Sequence, residues 1–218
     1  MGTITRNFAN NLTTSGLLKP TAFNNDSFDN VTAVPSGSVE TAAMQFISSA
    51  TASASASIEF TSGIDSTYKE YVFYFNNIVP ATNNVFFGVN FSTDGGSTYS
   101  VTKTSSWFQA LHYEDDSNAY LQYRTEPDLA QSTAIQQLTF GVRQDNADEG
   151  VCGTMNFYNP SSTTYVKHYM CDTHSTREWS HRVLCSGYCN TTSSVNAVKF
   201  EMESGNIDSG EILLFGIN

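Results

Sequence analysis

The pattern of apolar and polar positions after residue 36 is that of β-strands rather than helices. Between residues 85 and 92, Phe87, Val89 and Phe91 alternate with small or polar residues, and this period of two predicts a strand with one buried face. The run YVFYF at residues 71–75 is apolar throughout, which predicts a strand covered on both faces. Residues 93–97, TDGGS, tolerate positive φ and predict a tight hairpin turn. We therefore expect residues 57–99 to form the central ribbon of an all-β domain.

Similar runs, separated by turn residues, recur along the rest of the chain. The predicted strands are residues 39–47, 55–60, 68–78, 85–92, 105–113, 119–124, 134–143, 151–158, 164–171, 178–185, 194–202 and 211–217. The uncharged run ATASASAS at residues 50–57 is expected to form an edge strand. Short, regularly spaced strands predict a jelly-roll-like β-sandwich over residues 36–218. The predicted core consists of Phe73, Phe75, Phe87, Val89, Phe91, Phe140, Val198 and Phe200.

Residues 1–35 follow no such period. They contain clusters of Asn and Thr, scattered Leu and Phe residues, and the prolines Pro20 and Pro35. One interpretation is a solvated tail. The scattered apolar residues favour an extended N-terminal arm that becomes ordered on a neighbouring subunit, because disordered segments are usually poor in such residues.

The turn sequence NPSS at residues 159–162 predicts a hairpin between the strands on either side. A hairpin centred on this turn pairs Met155 with His168 and Cys152 with Cys171. Opposed residues on neighbouring strands have Cβ atoms ~4.5–5.5 Å apart, so this cross-strand cysteine pair could form a strained disulfide. Since the sequence shows no signal peptide, we expect reduced thiols that pack as small apolar groups.

Charge and composition exclude several classes of partner. The chain has 10 Lys and Arg residues against 21 Asp and Glu residues, a net charge of −11. A phosphate-binding surface needs a basic patch, so we expect no nucleic acid partner, and the same charge disfavours an anionic membrane surface. No apolar run approaches the ~20 residues of a membrane span. The opening MGTITR lacks the apolar core of a signal peptide, which predicts synthesis in the cytoplasm.

One short segment concentrates Cys and His residues. Cys171, His174, His181, Cys185 and Cys189 follow the spacing C-x2-H-x6-H-x3-C-x3-C. Zinc takes four such ligands, which makes these residues a candidate metal site. The spacing matches no common zinc module, and neighbours along a strand point to opposite faces. We therefore predict that the protein holds no cofactor. The alternatives are a bound zinc ion and a disulfide between Cys185 and Cys189.

A second constellation is aromatic. Trp107, Tyr113, Tyr120 and Tyr123 lie close together in the sequence. Trp and Tyr are effective anchors at binding surfaces because they bury much area at low entropic cost, and sugar rings stack on such side chains. These four residues are therefore the candidate binding surface, and packing into the core is the alternative.

Carboxylates cluster at residues 114–116 and at 145–149. Such groups could bind calcium, but no EF-hand pattern is present. A carboxylate pair could also serve glycoside hydrolysis, although no nucleophile elbow, phosphate loop, kinase set or HExxH motif accompanies it. Solvated loops are the simpler interpretation, and we predict that the protein is not an enzyme and holds no calcium.

Three stretches of the chain are distinctive. They are MGTITRNFANNLTTSG at the start, FTSGIDSTYKEYVFYFNNIVPAT followed by STDGGSTY in the middle, and SGEILLFGIN at the end. In these stretches the chain resembles small virion structural proteins of tailed phages, particularly phages of marine bacteria. The resemblance implies a β-rich tail-fibre, spike or capsid-surface component, of a kind that is often trimeric.

The expected function is therefore that of a phage virion structural protein displayed on the particle surface. A tail-fibre or spike component would contribute to host-surface attachment, with a host glycan or receptor as ligand. Residues 1–35 would join it to other virion proteins, and a homotrimer would cover its edge strands. The alternatives are a capsid decoration protein that stabilises the head and a glycan-degrading, depolymerase-like enzyme.

Overall fold

The computed structural model describes residues 43–218, which belong to one compact unit. The regular structure in this range is entirely β-strand. The predicted arm at residues 1–35, and the predicted start of the domain at residue 36, lie outside the described residues. Within the described range there is no helix that is long and apolar enough to span a membrane.

Twelve strands form two antiparallel sheets. The strands are β1 (Met44–Ser55), β2 (Ile58–Phe60), β3 (Glu70–Pro80), β4 (Phe87–Ser92), β5 (Lys103–Tyr113), β6 (Ala119–Tyr123), β7 (Gln136–Gln137), β8 (Gly150–Tyr158), β9 (Lys167–Thr176), β10 (Trp179–Cys189), β11 (Ala197–Met202) and β12 (Ile207–Ile217). The larger sheet has eight strands in the order β1-β12-β3-β8-β9-β10-β5-β6, and the smaller has four in the order β2-β11-β4-β7. The two sheets pack together, which confirms the predicted all-β sandwich.

The core between the sheets is aromatic and centres on Phe200 of β11. Its ring lies 5.1 Å from that of Phe73 and 5.2 Å from that of Phe75, both on β3 of the larger sheet. It also stacks on Phe87 of the smaller sheet at 5.7 Å. Seven of the eight predicted core residues are buried. The eighth, Phe140, is partly exposed beside the guanidinium of Arg124, so its assignment to the core was wrong.

The chain passes repeatedly from one sheet to the other, and one of these crossings corrects the predicted hairpin at residues 93–97. Gly95 and Gly96 have the expected positive φ of 72° and 91°. Asp94 accepts hydrogen bonds from the Ser92 hydroxyl and the Thr98 backbone N–H, which lower the pKa of Asp94 to about 2. The turn nevertheless leads from β4 in the smaller sheet to β5 in the larger one.

The predicted strand at residues 134–143 is largely irregular, since only β7 is regular there. The segment between β6 and β8 instead covers the inner face of the larger sheet. Gln136 accepts a hydrogen bond from the Tyr169 hydroxyl at 2.9 Å, and the Leu138 carbonyl accepts one from Thr173 at 2.6 Å. At the other side of the sheet, β1 is an edge strand, which agrees with the prediction for residues 50–57 as far as Ser55.

The hairpin between β8 and β9 forms, but its register corrects the predicted cysteine pair. Cys152 lies opposite His174, and Cys171 lies opposite Met155. The strand β9 begins only at Lys167, because irregular residues follow the turn and lengthen the connection. The register is therefore displaced by an odd number of residues, which places Cys152 and Cys171 on opposite faces of the sheet. Cys152 is exposed and Cys171 is buried.

Candidate ligand-binding groove

A groove crosses the outer face of the larger sheet, where β5, β10, β9 and β8 lie side by side. Its depth follows from the strand register. Ser106 of β5 lies opposite Ser186 of β10, which lies opposite Met170 of β9. The two serine hydroxyls are 3.4 Å apart. Two small side chains in neighbouring strands leave a low floor between rows of larger residues.

The rows on either side of this floor are formed by larger side chains. One row contains Phe108 and Leu184, which are paired across β5 and β10. The other contains Tyr188 and His168, which are paired across β10 and β9 and whose rings are 6.2 Å apart. Met170 is 56% exposed and stands between the two halves of the groove. The groove therefore has a hydroxyl-bearing floor and walls that are apolar or aromatic.

The groove consists of two adjoining depressions of about 400 and 600 Å³. Tyr158, Met170 and Ser186 line both of them, so the two depressions are continuous. Each depression is larger than ~300 Å³, the lower end of the range for small-ligand pockets. The space is sufficient for an elongated ligand that lies across the strands.

Asp172, the charged residue that lines the groove, is paired with a cation. Asp172 accepts a bidentate pair of hydrogen bonds from Arg182, with an Nε–Oδ1 distance of 2.9 Å, and this contact raises the pKa of Arg182. Glu70 accepts a hydrogen bond from the Asn156 side-chain amide at 2.6 Å. The groove therefore offers hydroxyls, an amide and aromatic rings, and no net charge from the Asp172–Arg182 pair. Such a lining suits a neutral polar ligand better than an ionic one.

The four aromatic residues predicted to form a binding surface do not lie together in the groove. Trp107 is fully buried on the inner face, so its assignment to a binding surface was wrong. Tyr113 packs edge-to-face against Trp179 at 5.2 Å, and Tyr120 and Tyr123 belong to β6 at the edge of the sheet. The next residue after the tryptophan, Phe108, is the one that lines the groove, because neighbouring residues in a strand face opposite sides.

The five Cys and His residues proposed as zinc ligands are not brought together. Cys171, His181, Cys185 and Cys189 point into the interior, whereas His174 lies on the exposed outer face and hydrogen-bonds Ser180 at 2.9 Å. Residues 43–218 contain no group of three or more His, Cys, Asp or Glu side chains that could hold a metal ion. Strand alternation places only His174 on the other face. The other four share the inner face but are spread along β9 and β10, since Cys185 lies opposite Cys171, whereas His181 and Cys189 lie opposite Ser175 and Lys167.

Burial determines the protonation state of two of these side chains, His181 and Cys189. The Nε2 atom of His181 is 2.8 Å from Oε1 of Gln109, and burial lowers the pKa of His181 to about 4, with smaller contributions from His174 and Arg124. Cys189 lies between Lys103 and Lys167 in the sheet. Burial raises the pKa of Cys189 to about 12, although the two lysines act in the opposite direction. Both groups are neutral at pH 7.

The predicted carboxylate clusters have local structural contacts. Glu149 is buried and accepts hydrogen bonds from the backbone N–H and the side-chain amide of Asn146. Asp145 accepts a hydrogen bond from Asn83 at 2.6 Å, and Asp115 accepts one from the backbone N–H of Ser117 at 3.0 Å. These contacts shape the loops in which the carboxylates lie.

The groove residues were missed in the sequence, although one signal was present. Phe108, Met170 and Leu184 are large apolar residues at positions that alternate with buried residues of the same strands. Large apolar side chains on the solvent face of a strand mark an interaction surface. Their proximity depends on the order β5-β10-β9, which joins strands that are distant in the sequence.

Comparison with family models, with curated proteins and with solved structures finds no match to this chain.

Proposed function

We propose that this protein is a non-enzymatic structural protein on the surface of a phage particle, of tail-fibre or spike type, and that it contributes to attachment by binding a host-surface glycan. The three stretches that resemble phage virion proteins support the assignment to the particle. Residues 1–35, which lie outside the described residues, would join the protein to other virion proteins. The attachment role rests on the groove of the larger sheet.

The lining of the groove is the observation that carries the attachment role. Sugars present C–H faces that pack on aromatic rings and hydroxyls that exchange hydrogen bonds with polar side chains. Tyr188 and Phe108 provide ring surface in the walls, and Ser106 and Ser186 provide hydroxyls in the floor. Because Asp172 is paired with Arg182, the ligand best suited to this lining is an extended, neutral glycan.

A binding experiment with defined polysaccharides tests the proposal. The full-length protein would be titrated calorimetrically with dextran, mannan and a β-1,3-glucan as neutral probes, and with polygalacturonate as an acidic probe. We expect binding of at least one neutral polymer and weaker binding of the acidic one, because a net charge of −11 repels a polyanion. Release of new reducing ends during the titration would contradict the non-enzymatic part of the proposal.

Two matched variants locate the binding site. Tyr188→Ala removes a ring from the groove wall, whereas Tyr165→Ala removes a ring that is 70% exposed and lies outside the groove. We expect Tyr188→Ala to weaken binding by at least about tenfold, ~1.4 kcal/mol, and Tyr165→Ala to have no effect. Equal affinities of the two variants would place the glycan elsewhere and remove the argument for the groove.

A capsid decoration protein is the second candidate. It is favoured by an aromatic strip on the outer face of the larger sheet, at the side formed by β1, β12 and β3. The ring of Phe215 lies 5.5 Å from that of Phe46 and 5.4 Å from that of Tyr74, and Phe46 is 58% exposed. This aromatic strip could pack on a flat protein surface. The number of copies per particle separates the two functions, because a decoration protein approaches the abundance of the major capsid protein and a fibre is far scarcer. Antibody labelling of purified virions would show the position directly.

A further inference from the structure

The strand β6 leaves one of its edges open. It pairs with β5 on one side, and no other strand in residues 43–218 pairs with its second side. Its sequence AYLQY is uncharged and contains no proline, and Leu121 at its centre is 75% exposed. Soluble proteins usually blunt such an edge with charges, proline or a bulge. The edge of β6 has none of these protections.

The backbone groups that face the open edge follow from the ladder with β5. The Arg124 N–H donates to the Trp107 carbonyl at 3.1 Å, and the Tyr113 N–H donates to the Asn118 carbonyl at 2.9 Å. Hydrogen-bonded pairs alternate with non-bonded pairs in an antiparallel ladder, so the even-numbered residues of β6 direct their backbone groups to β5. The odd-numbered residues Ala119, Leu121 and Tyr123 direct theirs to the open edge.

We propose that this edge is a self-association surface, where β6 of a second copy of this chain pairs antiparallel about a twofold axis centred on Leu121. In this register Leu121 lies opposite its own counterpart, and Ala119 lies opposite Tyr123. Each of the three residues with outward backbone groups then exchanges hydrogen bonds with a counterpart. The free groups of one copy are therefore satisfied by the free groups of the other.

The side chains of β6 agree with this register. Tyr123 pairs with Phe108 and Leu121 pairs with Ala110 of β5, so the odd-numbered side chains lie on the outer face of the sheet. Pairing about the twofold axis sets the large Tyr123 beside the small Ala119 of the other copy and brings the two Leu121 side chains into contact. Since β6 carries no charge, pairing buries no ion. The opposite face of the new ladder pairs Tyr120 with Gln122.

Charges beside β6 oppose the association and make it depend on salt. Each copy has acids at residues 114–116 before β6, and Arg124, Glu126 and Asp128 after it. Antiparallel pairing places residues 114–116 of one copy near residues 124–128 of the other. The charges brought together in this way are net negative. Salt screens such repulsion over about 8–10 Å at ordinary ionic strength. The dimer is therefore favoured as the salt concentration rises.

The arrangement joins two larger sheets into one continuous sheet with both outer faces on the same side. The two grooves then face the same direction, and simultaneous occupation of both by one polymer would raise the apparent affinity. This interface has twofold symmetry and is distinct from the threefold contact that the phage resemblance implies. The two contacts occur together only in an assembly that contains both axes.

Sedimentation velocity on the full-length protein, over a range of protein and NaCl concentrations, tests the interface. We expect a monomer–dimer equilibrium that shifts towards dimer as NaCl rises. Leu121→Pro should raise the dissociation constant at least about tenfold by removing central hydrogen bonds. It removes no bond to β5, because the Leu121 N–H faces the open edge. Leu121→Lys should have the same effect by adding charge at the axis, and Leu121→Val is the matched control that stays dimeric.

A cross-link gives an independent test that does not depend on the folding of the proline variant. In a Cys152→Ser background, Leu121→Cys should form a disulfide-linked dimer under mild oxidation, since opposed residues at the axis have Cα atoms ~5.5 Å apart. Tyr165→Cys in the same background is the exposed control that should not. A monomer at high micromolar concentration in high salt overturns the proposal. Equal dimerisation of wild type, Leu121→Pro and Leu121→Lys also overturns it.

Discussion

Cys171 and Cys185 lie directly opposite each other on β9 and β10, and both side chains are buried in the interior of the sandwich. Burial raises the pKa of both thiols, and the proximity of Cys185 adds to the effect on Cys171. Cys189, further along β10, is buried as well, whereas Cys152 is exposed. The chain therefore has one accessible thiol and three that are both shielded and protonated at neutral pH.

Alkylation should distinguish these two classes. In the native protein we expect iodoacetamide to modify Cys152 and to leave the other three of the 4 cysteines unmodified, because the thiolate is the nucleophile and the buried thiols are neutral. In denaturant all of them should react. Peptide mapping by mass spectrometry gives the result, and rapid native labelling of Cys171 or Cys185 would contradict the burial of this pair.

Phe200 should contribute more to stability than an exposed aromatic residue of similar size. Phe200→Ala leaves a cavity among Phe60, Phe73 and Phe87, whose rings contact it from both sheets. We expect a loss of about 3–5 kcal/mol in the free energy of unfolding, measured by urea denaturation. The matched variant Tyr165→Ala, at an exposed loop position, should change it by less than about 0.5 kcal/mol.

His181 should make the free energy of unfolding decrease as the pH is lowered below neutrality. Burial lowers its pKa in the folded state to about 4, below the ordinary value of 6.5 for histidine. As pH falls from 6.5 towards 4, the unfolded chain therefore binds a proton that the folded protein does not, and stability is lost across this window. Urea midpoints measured between pH 7.5 and pH 4 should fall more steeply for the wild type than for His181→Gln, which does not titrate. Parallel profiles would show that His181 does not contribute.

Gly210 should tolerate no side chain. Its φ is +117°, and an added Cβ would lie 2.6 Å from the Asn77 carbonyl oxygen and 2.8 Å from Ile78 Cα. Backbone atoms cannot move aside as a flexible side chain can, so Gly210→Ala should lower the free energy of unfolding by about 2 kcal/mol or more. Gly95→Ala is the control, because φ is +72° there but no heavy atom lies within 4 Å. We expect it to cost about 1 kcal/mol.

The sequence alone determined the fold class and most of the strands. Alternation such as that of Phe87, Val89 and Phe91 is a local property, because side chains in a strand alternate between faces whatever the strand pairs with. The core therefore followed from the pattern, apart from Phe140. Turn residues at Gly95 and Gly96 were likewise recognisable, since positive φ is a requirement of the local backbone. The strand that pairs with β4 could not be recognised in this way, because strand pairing depends on the rest of the chain.

Only the tertiary structure decided which face of the strands without a clear alternation turns towards the core, and which strands become neighbours. A shift of one residue exchanges the two faces of a strand, so Phe108 rather than Trp107 lines the groove, and Cys152 and Cys171 are separated. The length of the connection after Pro160 set that register. The groove requires Ser106, Ser186 and Met170 to meet across three strands, and the sheet order that unites them arises from long-range packing rather than from any local pattern.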